Sequence, residues 1–135
     1  MPYFKKLGLI QWLAWFYALN FLFILIISHW PGLTDVQGRL LGLFPIDLAD
    51  DIFHSLSGLL AAIVAMKSHT WSVNYFKYAG IPYGIDTIIG FFFSKGFGSP
   101  DFSMHNFLVN LPHIVILITM LWIGFWLSKR IQPLN

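Results

Sequence analysis

Four long apolar runs, each bounded by polar or turn-forming residues, organise the sequence. They predict helices over about residues 7–30, 47–66, 74–93 and 105–127. A helix needs about 20 mostly apolar residues to cross a hydrocarbon core of about 30 Å, and each run is about that long. The pattern therefore predicts an all-α integral membrane protein, a four-helix antiparallel bundle that occupies residues 1–135 as a single transmembrane domain.

Basic residues predict the orientation of this bundle. Lysine and arginine near the ends of short loops are retained on the cytoplasmic side. Four predicted crossings place most of the basic residues on one side, namely Lys5, Lys6, Lys67, Lys77, Lys129 and Arg130. Only Arg39 and Lys95 fall on the other side. We therefore expect both termini to be cytoplasmic.

Composition supports a membrane protein and removes several function classes. The chain is 57% hydrophobic and 10% charged, against about 45–50% and about 25% in soluble domains. Cysteine is absent, which excludes disulfides, thiolate metal sites and a thiol nucleophile. The net charge is +2, but the basic residues form no cluster or stripe, so we expect lipid and not nucleic acid as a partner.

Each predicted helix carries one strongly polar residue at a similar depth. With a rise of about 1.5 Å per residue, Asp86 lies about 10–12 Å from the outer end of its helix. His54 and His113 lie at comparable depths, and Asn20 is slightly deeper. Asn110 shares a helix face with His113. These five residues predict a buried polar layer in the outer half of the bundle.

Lipid contact would be costly for this layer. An aspartate in the middle of a transmembrane helix costs about 2.5–3.5 kcal/mol on insertion scales. We therefore expect Asp86 to face His54, His113 or both. Pro82 and Pro112 lie within one turn of Asp86 and His113, and each frees a carbonyl one turn earlier.

The polar layer admits several functions. A two-histidine, one-carboxylate set at His54, Asp86 and His113 would suit iron or zinc. Two histidines on different helices would also suit the axial positions of a haem. Histidine titrates near neutrality, so the same residues would suit a proton-binding or small-solute pocket. The inner half of the bundle is nearly all apolar, which favours an outward-opening pocket over a channel.

A structural role is the interpretation that we favour. A hydrogen-bonded Asp–His pair can fix the packing of helices in lipid, where hydrophobicity alone does not select one arrangement. No nucleophile–base pair or phosphate-binding glycine loop is present in the sequence. We expect a non-enzymatic scaffold or an accessory subunit of a larger membrane complex, or a homo-oligomer. A ligand-binding module is the alternative.

Several motifs resemble a known family. The sequence has a Pro31-Gly32 turn after the first helix, a Leu41 to Phe44 approach to the second, and the opening HNFLVNLPH in the fourth. This pattern resembles a bacterial four-helix membrane family catalogued as domain of unknown function 4383. The family has Asn-x-x-His at the start of its second and fourth helices. Here Asp51 replaces the asparagine before His54.

The resemblance covers most of the chain and also departs from the family in the fourth helix. Asn106 matches, but Val109 stands where histidine is expected, and His113 comes one turn later. The resemblance implies a four-helix membrane fold, multi-pass, in a bacterial inner membrane. It implies no particular activity.

Overall fold

The described residues form helices and one small β-hairpin, joined by turns and loops. The computed structural model describes residues 7–93, 96 and 99–131. Lys5, Lys6 and Lys95, which contribute to the predicted orientation, lie outside these residues. The elements are α1 (Leu9–Ser28), β1 (Arg39–Leu40), β2 (Phe44–Pro45), α2 (Leu48–Lys67), α3 (His69–Tyr78), α4 (Gly80–Phe93) and α5 (Met104–Leu121). A π-helical turn, Trp122–Trp126, and a short 3₁₀ turn, Leu127–Lys129, continue α5.

Among the described residues, three helices are long and apolar enough to cross a membrane. They are Leu9–Ser28, Leu48–Lys67 and the continuous segment Met104–Lys129, with mean hydropathies of 2.0, 1.5 and 2.0. The length and composition of these helices identify a membrane protein. Asp47 caps α2, since its side chain accepts a hydrogen bond from the Asp50 amide at 2.9 Å.

The third predicted helix differs from its expected form. A helix over about residues 74–93 was expected, whereas the chain forms α3 and α4, which are separated at Ala79. Pro82 provides the physical reason, because it has no amide hydrogen to donate to the Tyr78 carbonyl. Helix α3 ends at Tyr78. Neither α3, with 10 residues, nor α4, with 14, has the length of a full crossing alone.

The sequence predicts one domain, and the chain forms two compact units. The N-terminal unit runs to Tyr75 and includes Ile131, and the C-terminal unit is Phe76–Arg130. In the N-terminal unit α1 packs antiparallel to α2. Gln11 Nε2, near the start of α1, donates to the carbonyl of Ala65, near the end of α2, at 2.9 Å.

Small residues allow α1 and α2 to approach closely. Ala14, Ala18 and Ala61 are buried. A Cβ added at Gly58 would lie 3.0 Å from the Cβ of Phe21. In lipid, helices associate through such close packing because the hydrophobic effect does not favour one helix–helix contact over a lipid contact.

An ordered turn-rich loop joins α1 to α2. Strands β1 and β2 pair antiparallel, with Leu40 opposite Phe44. The carboxylate of Asp35 accepts hydrogen bonds from the Gln37 amide, the Arg39 amide and Arg39 Nε, at 2.9, 2.8 and 2.9 Å. Gly38 and Gly42 have φ of 74° and 70°, values that favour glycine.

In the C-terminal unit α4 packs antiparallel to α5 along a glycine-containing face. Gly80 faces Met120, and Gly84 faces Leu117. At the other end of the hairpin a Cβ at Gly90 would overlap the Asn110 side chain. These close approaches bring the polar residues of α4 and α5 within hydrogen-bonding reach.

Candidate functional site

The carboxylate of Asp86 and the imidazole of His113 form a pair across the α4–α5 hairpin. Asp86 Oδ2 lies 2.6 Å from His113 Nδ1. At this distance one proton joins the two groups, and Nδ1 donates it when the carboxylate is ionised. The predicted contact between Asp86 and a histidine on another helix is therefore present. The ring of Tyr83, which is fully buried, lies edge-on to the imidazole at 5.7 Å between centroids.

The two members of the pair differ in accessibility. The His113 side chain is 15% exposed and the Asp86 side chain is 51% exposed. A buried position was expected for Asp86. The structure instead places the carboxylate at the surface of α4, with Oδ2 directed at His113. The pair is thus anchored inside the hairpin and accessible from outside it.

Asn106 and Asn110 support the same hairpin. The Asn110 side chain is 5% exposed, and its Nδ2 donates to the Asn106 carbonyl and to Asn106 Oδ1, at 2.9 and 3.1 Å. Asn106 Nδ2 in turn donates to the carbonyls of Gly90 and Asp101, at 2.9 and 2.7 Å. The predicted buried position of Asn110 agrees with this arrangement.

His54 occupies a different environment, in the N-terminal unit. It is 8% exposed, and its ring lies 5.7 Å from that of Phe21, inclined at 32°. It borders a cavity of about 310 Å³ between α1 and α2, whose other lining residues include Gly58, four leucines and two aromatic residues. The lining is almost entirely apolar, which suits a hydrocarbon chain better than a polar substrate.

Asn20 does not belong to a buried layer. It is exposed, and its Nδ2 donates to the carbonyl of Phe16 at 2.8 Å, one turn earlier in the same helix. A helical face can be read from residue spacing, but spacing does not show which face the neighbouring helix covers. The side-chain amide of Asn20 thus donates its hydrogen bond within α1.

The predicted metal-ligand set has members in both units. Asp86 and His113 converge in the C-terminal unit, and His54 lies in the N-terminal unit. A carboxylate oxygen and an imidazole nitrogen at hydrogen-bonding distance can share a proton or, with further ligands, hold a cation. The complete set of His54, Asp86 and His113 stays a prediction.

Sequence reasoning did not anticipate a second group of polar contacts. Lys77 Nζ lies over the Phe125 ring at 5.7 Å, and the Arg130 guanidinium lies over the Trp126 ring at 4.2 Å. The four-residue spacing of Trp126 and Arg130 is a local signal that was available in the sequence. The contact between Lys77 and Phe125 has no such signal, because 48 positions separate the two residues.

Comparisons with known proteins add nothing to this geometry: no protein-family model matches the chain, and no curated protein or solved structure matches it.

Proposed function

We propose that this protein is a small, non-enzymatic, multi-pass membrane protein that acts as a scaffold or as an accessory subunit of a larger membrane assembly. One observation carries the proposal: the Asp86–His113 pair joins two helices at 2.6 Å while the carboxylate stays half exposed. An exposed carboxylate on a membrane-embedded helix is unfavourable against lipid. A polar surface of a partner protein, or of a second copy, would remove that cost.

The contacts around the pair support a structural role. Asn106 ties the same two helices together by donating to the Gly90 carbonyl, and Asn110 donates to Asn106 within α5. The fully buried Tyr83 packs against His113. Each group thereby orients its neighbour. This arrangement favours a rigid hairpin that presents Asp86 to a partner protein. A rigid surface suits docking because it loses little conformational entropy when it binds.

The proposal includes a topology and a location. In this proposal α3 and α4 together form the third of four crossings, interrupted at Ala79, so that both termini lie on the same, cytoplasmic side. The basic residues Lys67, Lys77, Lys129 and Arg130 support this orientation. We propose the inner membrane of a bacterium as the location, and a relationship to the four-helix family of domain of unknown function 4383. The Pro31-Gly32 turn supports that relationship.

A ligand-binding module is the second candidate. The observation in its favour is that Asp86 and His113 converge while the Asp86 side chain is 51% exposed. In this case a metal, a haem or a proton would be bound with His54, Asp86 and His113 as the contributing residues. The bound group would then provide the function, and the hairpin would serve as its support.

Substitution separates the two candidates. The double variant Asp86→Asn with His54→Gln lowers the thermal stability of the purified protein if the residues are structural. If they bind a ligand, the variant loses the ligand with little unfolding. Elemental analysis by mass spectrometry of protein purified in mild detergent provides the direct readout. A near-stoichiometric transition metal that disappears in His113→Ala would replace the first proposal with the second.

A further inference from the structure

A group of aromatic and basic side chains lies at the C-terminal end of α5. It consists of Lys77, Trp122, Phe125, Trp126 and Arg130, here called the basic–aromatic cluster. Its three rings are 45–48% exposed. Trp122 and Trp126 stack at 5.2 Å with an angle of 22° between their planes. The cluster belongs wholly to the C-terminal unit.

The π-helical turn Trp122–Trp126 gives the cluster its shape. The turn places Gly124 directly against the backbone of α3, where an added Cβ would lie 2.6 Å from the Lys77 nitrogen. This contact fixes the base of the Lys77 side chain beside Phe125. The ammonium of Lys77 and the guanidinium of Arg130 consequently lie over the rings of consecutive residues, Phe125 and Trp126.

The cations of the cluster have no carboxylate near them in the sequence. Neither residues 52–85 nor residues 102–135 contain an aspartate or a glutamate. In the C-terminal unit the acidic side chains are Asp86, paired with His113, and Asp101, in the loop at the opposite end of the α4–α5 hairpin. No acidic residue close in the sequence therefore balances Lys77 or Arg130, and an anionic ligand would neutralise their charge.

We propose that the basic–aromatic cluster binds the phosphate of an anionic phospholipid. Tryptophan rings favour the headgroup region of a bilayer, and basic residues at that depth attract anionic lipids. A guanidinium that lies over an indole ring can still donate its N–H groups to a phosphate in a forked geometry. The exposed faces of Phe125 and Trp122 would then contact the glycerol and the upper acyl chains.

The test measures lipid retention by the full-length protein. Protein in mild detergent is incubated with an equimolar mixture of phosphatidylglycerol and phosphatidylcholine, and the bound lipid is identified by native mass spectrometry. We expect preferential retention of one phosphatidylglycerol. Lys77→Gln and Arg130→Gln should each weaken this retention about fivefold, since a basic residue near an anionic surface contributes about 1 kcal/mol. Lys77→Arg and Arg130→Lys should retain most of it.

Lys67→Gln is the matched control. Lys67 also makes a cation–π contact, with its Nζ 4.5 Å from the Trp71 ring, but it lies outside the cluster. Its substitution removes the same charge and should leave the retained lipid unchanged. Equal retention of the two lipids, or equal losses in Lys67→Gln and Lys77→Gln, would overturn the proposal. Displacement of the lipid by excess inorganic phosphate would overturn it too, because the cluster would then be a phosphate site.

Discussion

The side-chain amide of Asn106 donates a hydrogen bond to the carbonyl of Gly90 at 2.9 Å. Gly90 is in the last turn of α4, where the final four carbonyls have no partner within the helix. The Phe91 carbonyl accepts from the Asp101 amide at 2.7 Å, and the Phe93 carbonyl accepts from the Gly96 amide at 3.0 Å. Asn106 therefore completes the end of α4 and joins it to α5.

Asn106→Leu should destabilise the protein. The substitution leaves the Gly90 and Asp101 carbonyls without the amide that now serves both, at a cost of about 1–3 kcal/mol for a buried unsatisfied group. The free energy of unfolding, measured by denaturant titration in mixed micelles, checks this expectation.

Asn20→Leu is the matched control for that substitution. Asn20 is exposed, and its side-chain amide donates to the Phe16 carbonyl of its own helix. Its replacement by leucine should leave the free energy of unfolding unchanged or raise it. Equal losses in the two leucine variants would contradict the role assigned to Asn106.

Gly124→Ala should disrupt the contact between the π-helical turn and α3. The new Cβ would lie 2.6 Å from the Lys77 nitrogen and 2.8 Å from the Phe76 carbonyl carbon, both backbone atoms. Backbone cannot move aside as a side chain can, so we expect a loss of about 1–3 kcal/mol. Thermal unfolding followed by circular dichroism provides the measurement.

Gly84→Ala is the comparison for Gly124→Ala. Its Cβ would meet the flexible end of Leu117 at 3.1 Å, and a change of the leucine rotamer can relieve that contact. The loss should be smaller than in Gly124→Ala. A Gly84→Ala variant that unfolds at a lower temperature than Gly124→Ala would contradict this expectation. It would show that the backbone contact at Gly124 does not make an added Cβ more destabilising there.

Acid should open the loop between α1 and α2. The hydrogen bond from the Arg39 amide holds the pKa of Asp35 below its ordinary value of 3.8, with the Arg39 side chain and the Gln37 amide acting in the same direction. A lowered folded-state pKa stabilises the loop fully above the unfolded value. That stabilisation is lost as the pH falls through the folded-state pKa.

An NMR titration of the Arg39 amide tests this expectation. The titration midpoint in the folded protein should lie below the midpoint in an unstructured peptide of the same sequence, and Asp35→Asn should abolish the transition. Identical midpoints in protein and peptide would show that the hydrogen bonds to Asp35 do not favour its ionised form.

The long helices of the fold could be predicted from the sequence, and its interruptions could not. Helices α1 and α2 agree with the predicted ranges within about two residues, because an apolar run and its flanking caps are local signals. The break at Ala79 follows from Pro82, whose freed carbonyl was recognised, but a proline only kinks many transmembrane helices. The π-helical turn depends on the contact of Gly124 with α3. No local sequence pattern predicts this turn.

The candidate site was predictable in part for a related reason. Depth along each helix follows from the helical rise. This rise predicts similar depths for Asp86 and His113, measured from the outer ends of their helices. Exposure depends on which face of a helix its neighbour covers. Residue spacing does not show which face is covered. We expected Asn20 and Asp86 to be buried, whereas the structure places both at the surface.

A double-mutant cycle of Asp86→Asn and His113→Gln tests the central claim, that this pair holds α4 against α5. The free energy of unfolding of the wild type, both single variants and the double variant is measured in the same micelles. We predict a coupling of about 1 kcal/mol, the size found for hydrogen bonds between membrane helices. Losses that add to within about 0.3 kcal/mol would contradict the claim, because independent residues behave in that way.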